Sequence, residues 1–104
     1  MMELTGYQRN FLRKKAHDLS PVVMLGKNGL SEEVAEAADK ALEDHELIKV
    51  RFVDYKDERQ VLARSLSEKL KATLVSVIGN VAILYRRSND PGKQDIHIPG
   101  THKK

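Results

Sequence analysis

Two glycines three residues apart enclose a cation and an amide in the tetrapeptide Gly26-Lys27-Asn28-Gly29. Glycine has no Cβ, so it adopts positive φ readily and lets another backbone approach closely. Lys27 places a mobile positive charge within this segment, and Asn28 can donate hydrogen bonds through its side-chain amide. These residue types at this spacing predict a loop that receives a phosphate group.

The position of the tetrapeptide supports this prediction. It follows an apolar strand over residues 22–25 and precedes a helix that Ser31 would cap. The first amides of that helix have no partner within the helix and favour an anion. The same Gly-x-x-Gly device clamps the nucleic-acid backbone in KH modules. The alternative interpretation is an ordinary strand-to-helix turn, since two glycines within four residues occur in many turns.

A second basic feature lies in the first predicted helix. Arg9 and Arg13 are four residues apart and Lys14 is adjacent, so one face of this helix is basic. The net charge of +3 conceals an asymmetry, because residues 31–46 hold seven acidic residues and one lysine, a balance of −6, and the other 88 residues carry +9. We therefore expect a basic surface and a helix whose acids point into solvent. Two solvated faces of ordinary helices are the alternative.

The sequence offers no candidate for catalysis or metal binding. It contains no cysteine, which excludes disulfides, thiolate metal sites and cysteine nucleophiles. The histidines have no partner at metal-ligand spacing, and neither a P-loop nor a nucleophile elbow is present. We therefore expect no enzymatic activity, no metal and no cofactor. Among the aromatic residues Tyr55, in a turn, is the candidate for stacking on a base, because Tyr7, Phe11, Phe52 and Tyr85 occupy core positions.

Hydrophobic periodicity predicts the elements that position these residues. Helices are expected over residues 5–17, 31–45 and 57–71. Strands are expected over residues 22–25, 47–53, 73–78 and 81–86. The last two strands flank Gly79-Asn80, which predicts a type II′ hairpin. The order α-β-α-β-α-β-β predicts an α/β fold in which a four-stranded mixed sheet is packed with three helices.

A chain of 104 residues is the length of one domain. We assign residues 1–87 to this domain and residues 88–104 to a loosely attached polar tail, because a turn cluster begins at Ser88 and only Ile96 and Ile98 are apolar beyond it before Pro99. No leader pattern is present, and no stretch approaches the roughly 18 apolar residues of a membrane span. We therefore expect a cytoplasmic protein without membrane contact.

Three separated motifs together resemble a known family. They are Gly26-Lys27-Asn28-Gly29-Leu30-Ser31, Ala41-Leu42-Glu43-Asp44-His45-Glu46-Leu47-Ile48-Lys49-Val50, and Gly79-Asn80 leading to Leu84-Tyr85-Arg86. In unbroken order over about residues 3–87, they are similar to the CRM domain in its bacterial stand-alone YhbY type. The resemblance implies a fold similar to the C-terminal domain of translation initiation factor three. It also implies RNA as the ligand and association with precursors of the large (50S) ribosomal subunit.

The resemblance further implies which residues contact RNA. The RNA-contacting loop of the family corresponds to Gly26, Lys27, Asn28 and Gly29. Its basic first helix, in which the placement of cations varies, corresponds to Arg9, Arg13 and Lys14. Further candidates are Lys49, Arg86 and Arg87.

Together with the resemblance, these residues predict a monomeric RNA-binding protein, and the resemblance implies that it assists ribosome assembly. It would grip the RNA backbone through the Gly-x-x-Gly loop and the basic first helix. The alternative is a protein-interaction module that docks through the acidic helix 31–46.

Overall fold

A computed structural model describes residues 3–100. The helices are α1 (Gly6–Ala16), α2 (Glu32–His45) and α3 (Arg59–Lys69). The strands are β1 (Val23–Leu25), β2 (Leu47–Phe52), β3 (Thr73–Ile78) and β4 (Val81–Tyr85). Single 3-10 turns occur at Lys56–Glu58 and Pro91–Lys93. The element order is the predicted one.

Local signals explain where the first two long elements begin. Thr5 caps α1 in a reciprocal arrangement, since its hydroxyl accepts from the Gln8 amide at 3.1 Å and the Gln8 side chain accepts from the Thr5 amide at 3.0 Å. Ser31 caps α2 as predicted, with its hydroxyl accepting from the Val34 amide at 3.2 Å. Gly79 has a φ of +59°, which the predicted hairpin between β3 and β4 requires at its first turn position.

The four strands form one mixed sheet in the order β1-β2-β4-β3. β1 pairs in parallel with β2, while β4 is antiparallel to both β2 and β3. One face of the sheet packs with α2 and α3 around a core that includes Leu42, Phe52 and Leu66. The other face packs with α1 through Leu12 and Ala16. The predicted α/β fold class is confirmed.

One aromatic residue does not lie where the periodicity placed it. Tyr7 was expected in the core, yet it is exposed. α1 instead buries Gln8, Leu12 and Ala16, which recur every four residues and define a single stripe on the helix. Tyr7 lies beside that stripe, and none of the described residues forms a layer over α1 that covers the ring.

The structure corrects the prediction of a loosely attached tail for residues 88–100. Ser88 is buried, and Ile98 is 3% exposed within the core beneath α1. The Gln8 side chain also donates to the Pro99 carbonyl at 2.8 Å. Residues 101–104 of the predicted tail lie outside the described residues. None of the helices within residues 3–100 has the length and apolar character that crossing a membrane requires.

Residues 88–100 are held against the domain by a buried carboxylate. Glu46 is fully buried and accepts from the backbone amides of Ser88 at 2.8 Å, Asp95 at 3.0 Å and Ile96 at 3.1 Å. This corrects the expectation that the acids of residues 31–46 all point into solvent. The cause is the end of α2, where Glu46 has a φ of 67° and turns its side chain away from the acidic face.

Candidate nucleic-acid interface

The Gly-x-x-Gly loop (residues 26–29) joins β1 to α2 as a tight turn. The Gly29 amide donates to the Gly26 carbonyl at 2.9 Å, and the Ser31 amide donates to the Gly29 carbonyl at 2.9 Å. Gly29 has a φ of +66°, in the left-handed region that favours glycine. Lys27 and Asn28 are exposed at the tip of this turn. The loop therefore presents a cation and an amide on a defined backbone.

Tyr55 supports this loop from the turn that follows β2. Its hydroxyl donates to the Lys27 carbonyl at 2.8 Å. Its ring lies against Gly29, so that a Cβ built on Gly29 would be 3.5 Å from Tyr55 Cε2. Tyr55 itself has a left-handed backbone with a φ of 55°, and its amide donates to the Asp54 carboxylate at 2.8 Å. The residue predicted as a base-stacking candidate thus acts first as a brace for the loop, with 40% of its surface still exposed.

The three cations predicted on the basic first helix differ in their surroundings, since one is bound to the sheet and two are exposed. The Arg9 guanidinium donates to the carbonyls of Leu74, at 3.2 Å, and Val75. This contact lies at the irregularity in β3 between Leu74 and Ser76, where a carbonyl is free of the ladder. Arg9 therefore attaches α1 to the sheet. Arg13 and Lys14 are exposed.

The loop and the C-terminal end of α1 lie beside different points along β2. The C-terminal end of α1 is fastened to β2 by Lys49, whose ammonium donates to the Leu19 carbonyl at 2.9 Å. The loop begins after Leu25, which is in register with Phe52, three residues further along β2. At about 3.3 Å per residue, Lys49 and the start of the loop are about 10 Å apart along the strands. A ligand that contacts both must extend along the edge of the sheet.

Two of the further candidates are bound to the protein's own groups, and their contact with RNA stays a prediction. Lys49 is used at the end of α1, as described. Arg86 is bound to Asp39 at 2.8 Å and to the Leu70 carbonyl at 2.9 Å, which ties β4 to α2 and to the end of α3. Arg87 is exposed and donates to the Gln94 side chain at 3.0 Å. Spacing along the sequence carries no signal for these contacts, because every partner except Gln94 is more than ten residues away.

The acidic face of α2 is partly occupied by the chain itself. Besides Asp39, Glu43 accepts from the Ser88 hydroxyl at 3.0 Å and the Asn89 amide at 2.8 Å. Asp44 accepts from the Lys93 ammonium at 2.7 Å, and this hydrogen bond lowers the pKa of the Asp44 carboxyl. The acids in the first half of α2, Glu32, Glu33 and Glu36, are exposed and bind no other side chain among residues 3–100.

The fold and the loop together define a class of protein: a small α/β domain whose edge strand leads through a Gly-x-x-Gly turn into a helix. The family model described as the CRS1 / YhbY (CRM) domain matches residues 4–86. The chain belongs to the CRS1/YhbY (CRM) domain family. The family predicted from the three motifs is thereby confirmed.

Relatives of similar length support this assignment. The chain is 41% identical over 91 residues to an RNA-binding protein of Haemophilus influenzae, an alignment that covers 86% of this chain and 92% of the relative. It is 36% identical over 97 residues to the probable RNA-binding protein YqeI of Bacillus subtilis, covering 92% and 99%. The solution structure of the hypothetical protein SAV1595 from Staphylococcus aureus superimposes with a TM-score of 0.78 at 38% identity, covering 93% of this chain and 100% of that one.

Proposed function

We propose that this protein binds RNA, and that it holds the RNA backbone at the Gly-x-x-Gly loop and at the exposed cations of α1. The observation that carries the proposal is the braced loop, in which Tyr55 fixes the backbone of Lys27 while the lysine side chain remains exposed. A turn held in this way presents its charge to a phosphate without first having to be ordered. The names of the relatives point to the same ligand class.

The finer proposal is that the RNA is ribosomal. We propose that the protein acts as a cytoplasmic monomer on precursors of the 50S subunit and assists large-subunit assembly, as the resemblance of the three motifs implies. The test is sedimentation of the tagged protein through a sucrose gradient of a cell lysate. Comigration with large-subunit precursors is expected. Recovery of the protein only at the top of the gradient would contradict this assignment.

Replacing Lys27 by alanine should weaken binding to RNAs of different sequence by a similar factor. The lysine would contact phosphate, which carries no sequence information, so the loss is uniform. One lost phosphate contact should reduce the slope of log K against log salt concentration by about 0.7–0.9. The measurement is a series of filter-binding titrations with ribosomal RNA fragments at several KCl concentrations.

The matched control for this experiment is Lys69→Ala. Lys69 is also exposed, but it ends α3, next to Leu70, whose carbonyl binds Arg86 at the opposite end of the sheet from the loop. The Lys69→Ala variant should leave both the RNA affinity and the slope of log K against log salt concentration unchanged. An equal change in the two variants would mean that the net charge of the protein, and not the loop, determines RNA binding.

The alternative function, docking of a protein partner on the acidic helix, has less support. The second half of α2 uses Asp39, Glu43 and Asp44 to hold Arg86 and the C-terminal segment. Binding a basic partner there would have to displace these intramolecular contacts. Binding to purified RNA that weakens with salt supports the RNA proposal over this one.

A further inference from the structure

One half of a sheet face is left open, and the strand register defines it. Val50 and Phe52 point into the core beneath α2 and α3, so Arg51 between them points to the face that α1 occupies. Arg51 is in register with Met24 of β1 and with Val81 of β4, and Val81 is in register with Ile78 of β3. The four side chains therefore form one row across all four strands, which we call the open row.

α1 does not cover this row. The core beneath α1 takes Leu47 of β2 and both Ile83 and Tyr85 of β4, which lie at the other end of the sheet. In the open row, by contrast, Met24 is 51% exposed and Ile78 is 55% exposed. Val53, which directly follows β2, is 58% exposed. Exposed apolar side chains gathered on one sheet face mark a binding surface more often than scattered ones do.

The cation in the centre of the row is not used by the part of the chain that the structure describes. Arg51 is exposed and forms no ion pair or hydrogen bond through its side chain within the described residues 3–100. This distinguishes it from Arg9 and Arg86, which are bound to the chain's own groups. An unpaired guanidinium flanked by aliphatic side chains presents a planar, weakly hydrated cation on an apolar support. Such a surface is complementary to a flat, electron-rich ring attached to an anionic chain.

We propose that the open row binds unpaired bases of the RNA whose backbone is held at the Gly-x-x-Gly loop. This inference rests on the proposed function. Met24 precedes Gly26 by two residues, so the row begins where the loop begins. It spans three strand spacings, about 14 Å, which is enough for a short run of nucleotides to lie across it. Unpaired bases stack on guanidinium planes and pack against apolar side chains, whereas paired bases in a duplex are not available to do so.

The test separates bases from phosphates. The probes are an RNA hairpin with a ten-nucleotide single-stranded extension and the same hairpin with an abasic extension, which keeps every phosphate. The protein should bind the probe with bases about tenfold more tightly than the abasic probe. A gain in affinity of about tenfold is what stacking of one or two bases on a protein surface provides. The double variant Met24→Ser, Ile78→Ser should lose that preference while its salt dependence stays unchanged. Fluorescence anisotropy of labelled probes measures both quantities.

The matched control is Val61→Ser, which removes an apolar side chain that is 68% exposed on α3, in the layer on the other side of the sheet. This variant should keep the tenfold preference. Equal affinity of the unmodified protein for the two probes, or a preference that survives in the double variant, would overturn the proposal. The proposal would also be overturned if analytical ultracentrifugation showed that the unmodified protein is a dimer and that the double variant is a monomer. Failure of the proposed function is distinct, because Lys27→Ala would then bind both probes with unchanged affinity.

Discussion

Replacing Glu46 by glutamine should lower the free energy of unfolding by about 2–4 kcal/mol, because a buried acceptor of several charge-assisted hydrogen bonds is lost. One carboxylate oxygen accepts from the Ser88 amide, and the other accepts from the amides of Asp95 and Ile96. Glutamine has the same shape but carries an NH₂ group in place of one oxygen. That group would face a backbone N–H, and two donors cannot satisfy each other. Urea denaturation followed by circular dichroism measures the change.

The control for this prediction is Glu36→Gln on the exposed face of the same helix. It removes the same charge without touching a hydrogen bond, so its effect should lie within about 0.5 kcal/mol. Hydrogen exchange gives a second readout, since the amides of Asp95 and Ile96 should lose protection in the Glu46 variant while β4 retains it. Similar stabilities of the two variants would mean that the buried carboxylate does not hold the C-terminal segment.

Replacing Gly29 by valine should lower RNA affinity by about tenfold or more while the protein stays folded. A β-branched residue at a φ of +66° is disfavoured by about 1–2 kcal/mol, and its Cβ would lie in van der Waals contact with the Tyr55 ring. The loop must shift to relieve this strain, and the shift moves Lys27 out of the position in which its carbonyl accepts from the Tyr55 hydroxyl. A filter-binding titration measures affinity, and circular dichroism establishes that the sheet and helices persist.

Gly26→Ala is the matched control. A Cβ on Gly26 meets no atom within 4 Å, and its φ is not in the left-handed region. This variant should therefore keep the stability of the unmodified protein, so that any loss of affinity reports close approach of RNA at Gly26 and not strain. If Gly29→Val binds RNA as tightly as the unmodified protein although its loop has moved, the loop is not the backbone clamp.

The sequence is sufficient to predict the helices and strands and their order along the chain. Thr5 and Ser31 cap the helices that periodicity predicts after them, and Gly79-Asn80 joins two strands as a hairpin. These signals are readable because each depends on residues within a few positions of one another. The sequence predicted a four-stranded mixed sheet but not the order of its strands. The structure supplies that order, β1-β2-β4-β3.

The sequence predicts the loop of the candidate site but not the contact that supports it. The Gly-x-x-Gly loop was identified from its four residues, but the brace that Tyr55 supplies connects positions 28 residues apart. Tyr55 reaches the loop because β1 and β2 are parallel neighbours, so that their C-terminal ends meet at the same edge of the sheet. No local pattern around Tyr55 indicates that contact.

By itself the sequence determined the family, the α/β class, the tetrapeptide of the loop and the basic character of α1. The tertiary structure alone decided how the charges are used. Glu46 is buried under the C-terminal segment, and Arg9 and Arg86 bind the protein's own carbonyl or carboxylate groups. Arg51 lies on an open sheet face and has no side-chain partner among residues 3–100. The physical reason is the range of the interactions. Helix and strand preferences arise from near neighbours, whereas the partner and burial of a charge depend on which distant segments packing brings beside it.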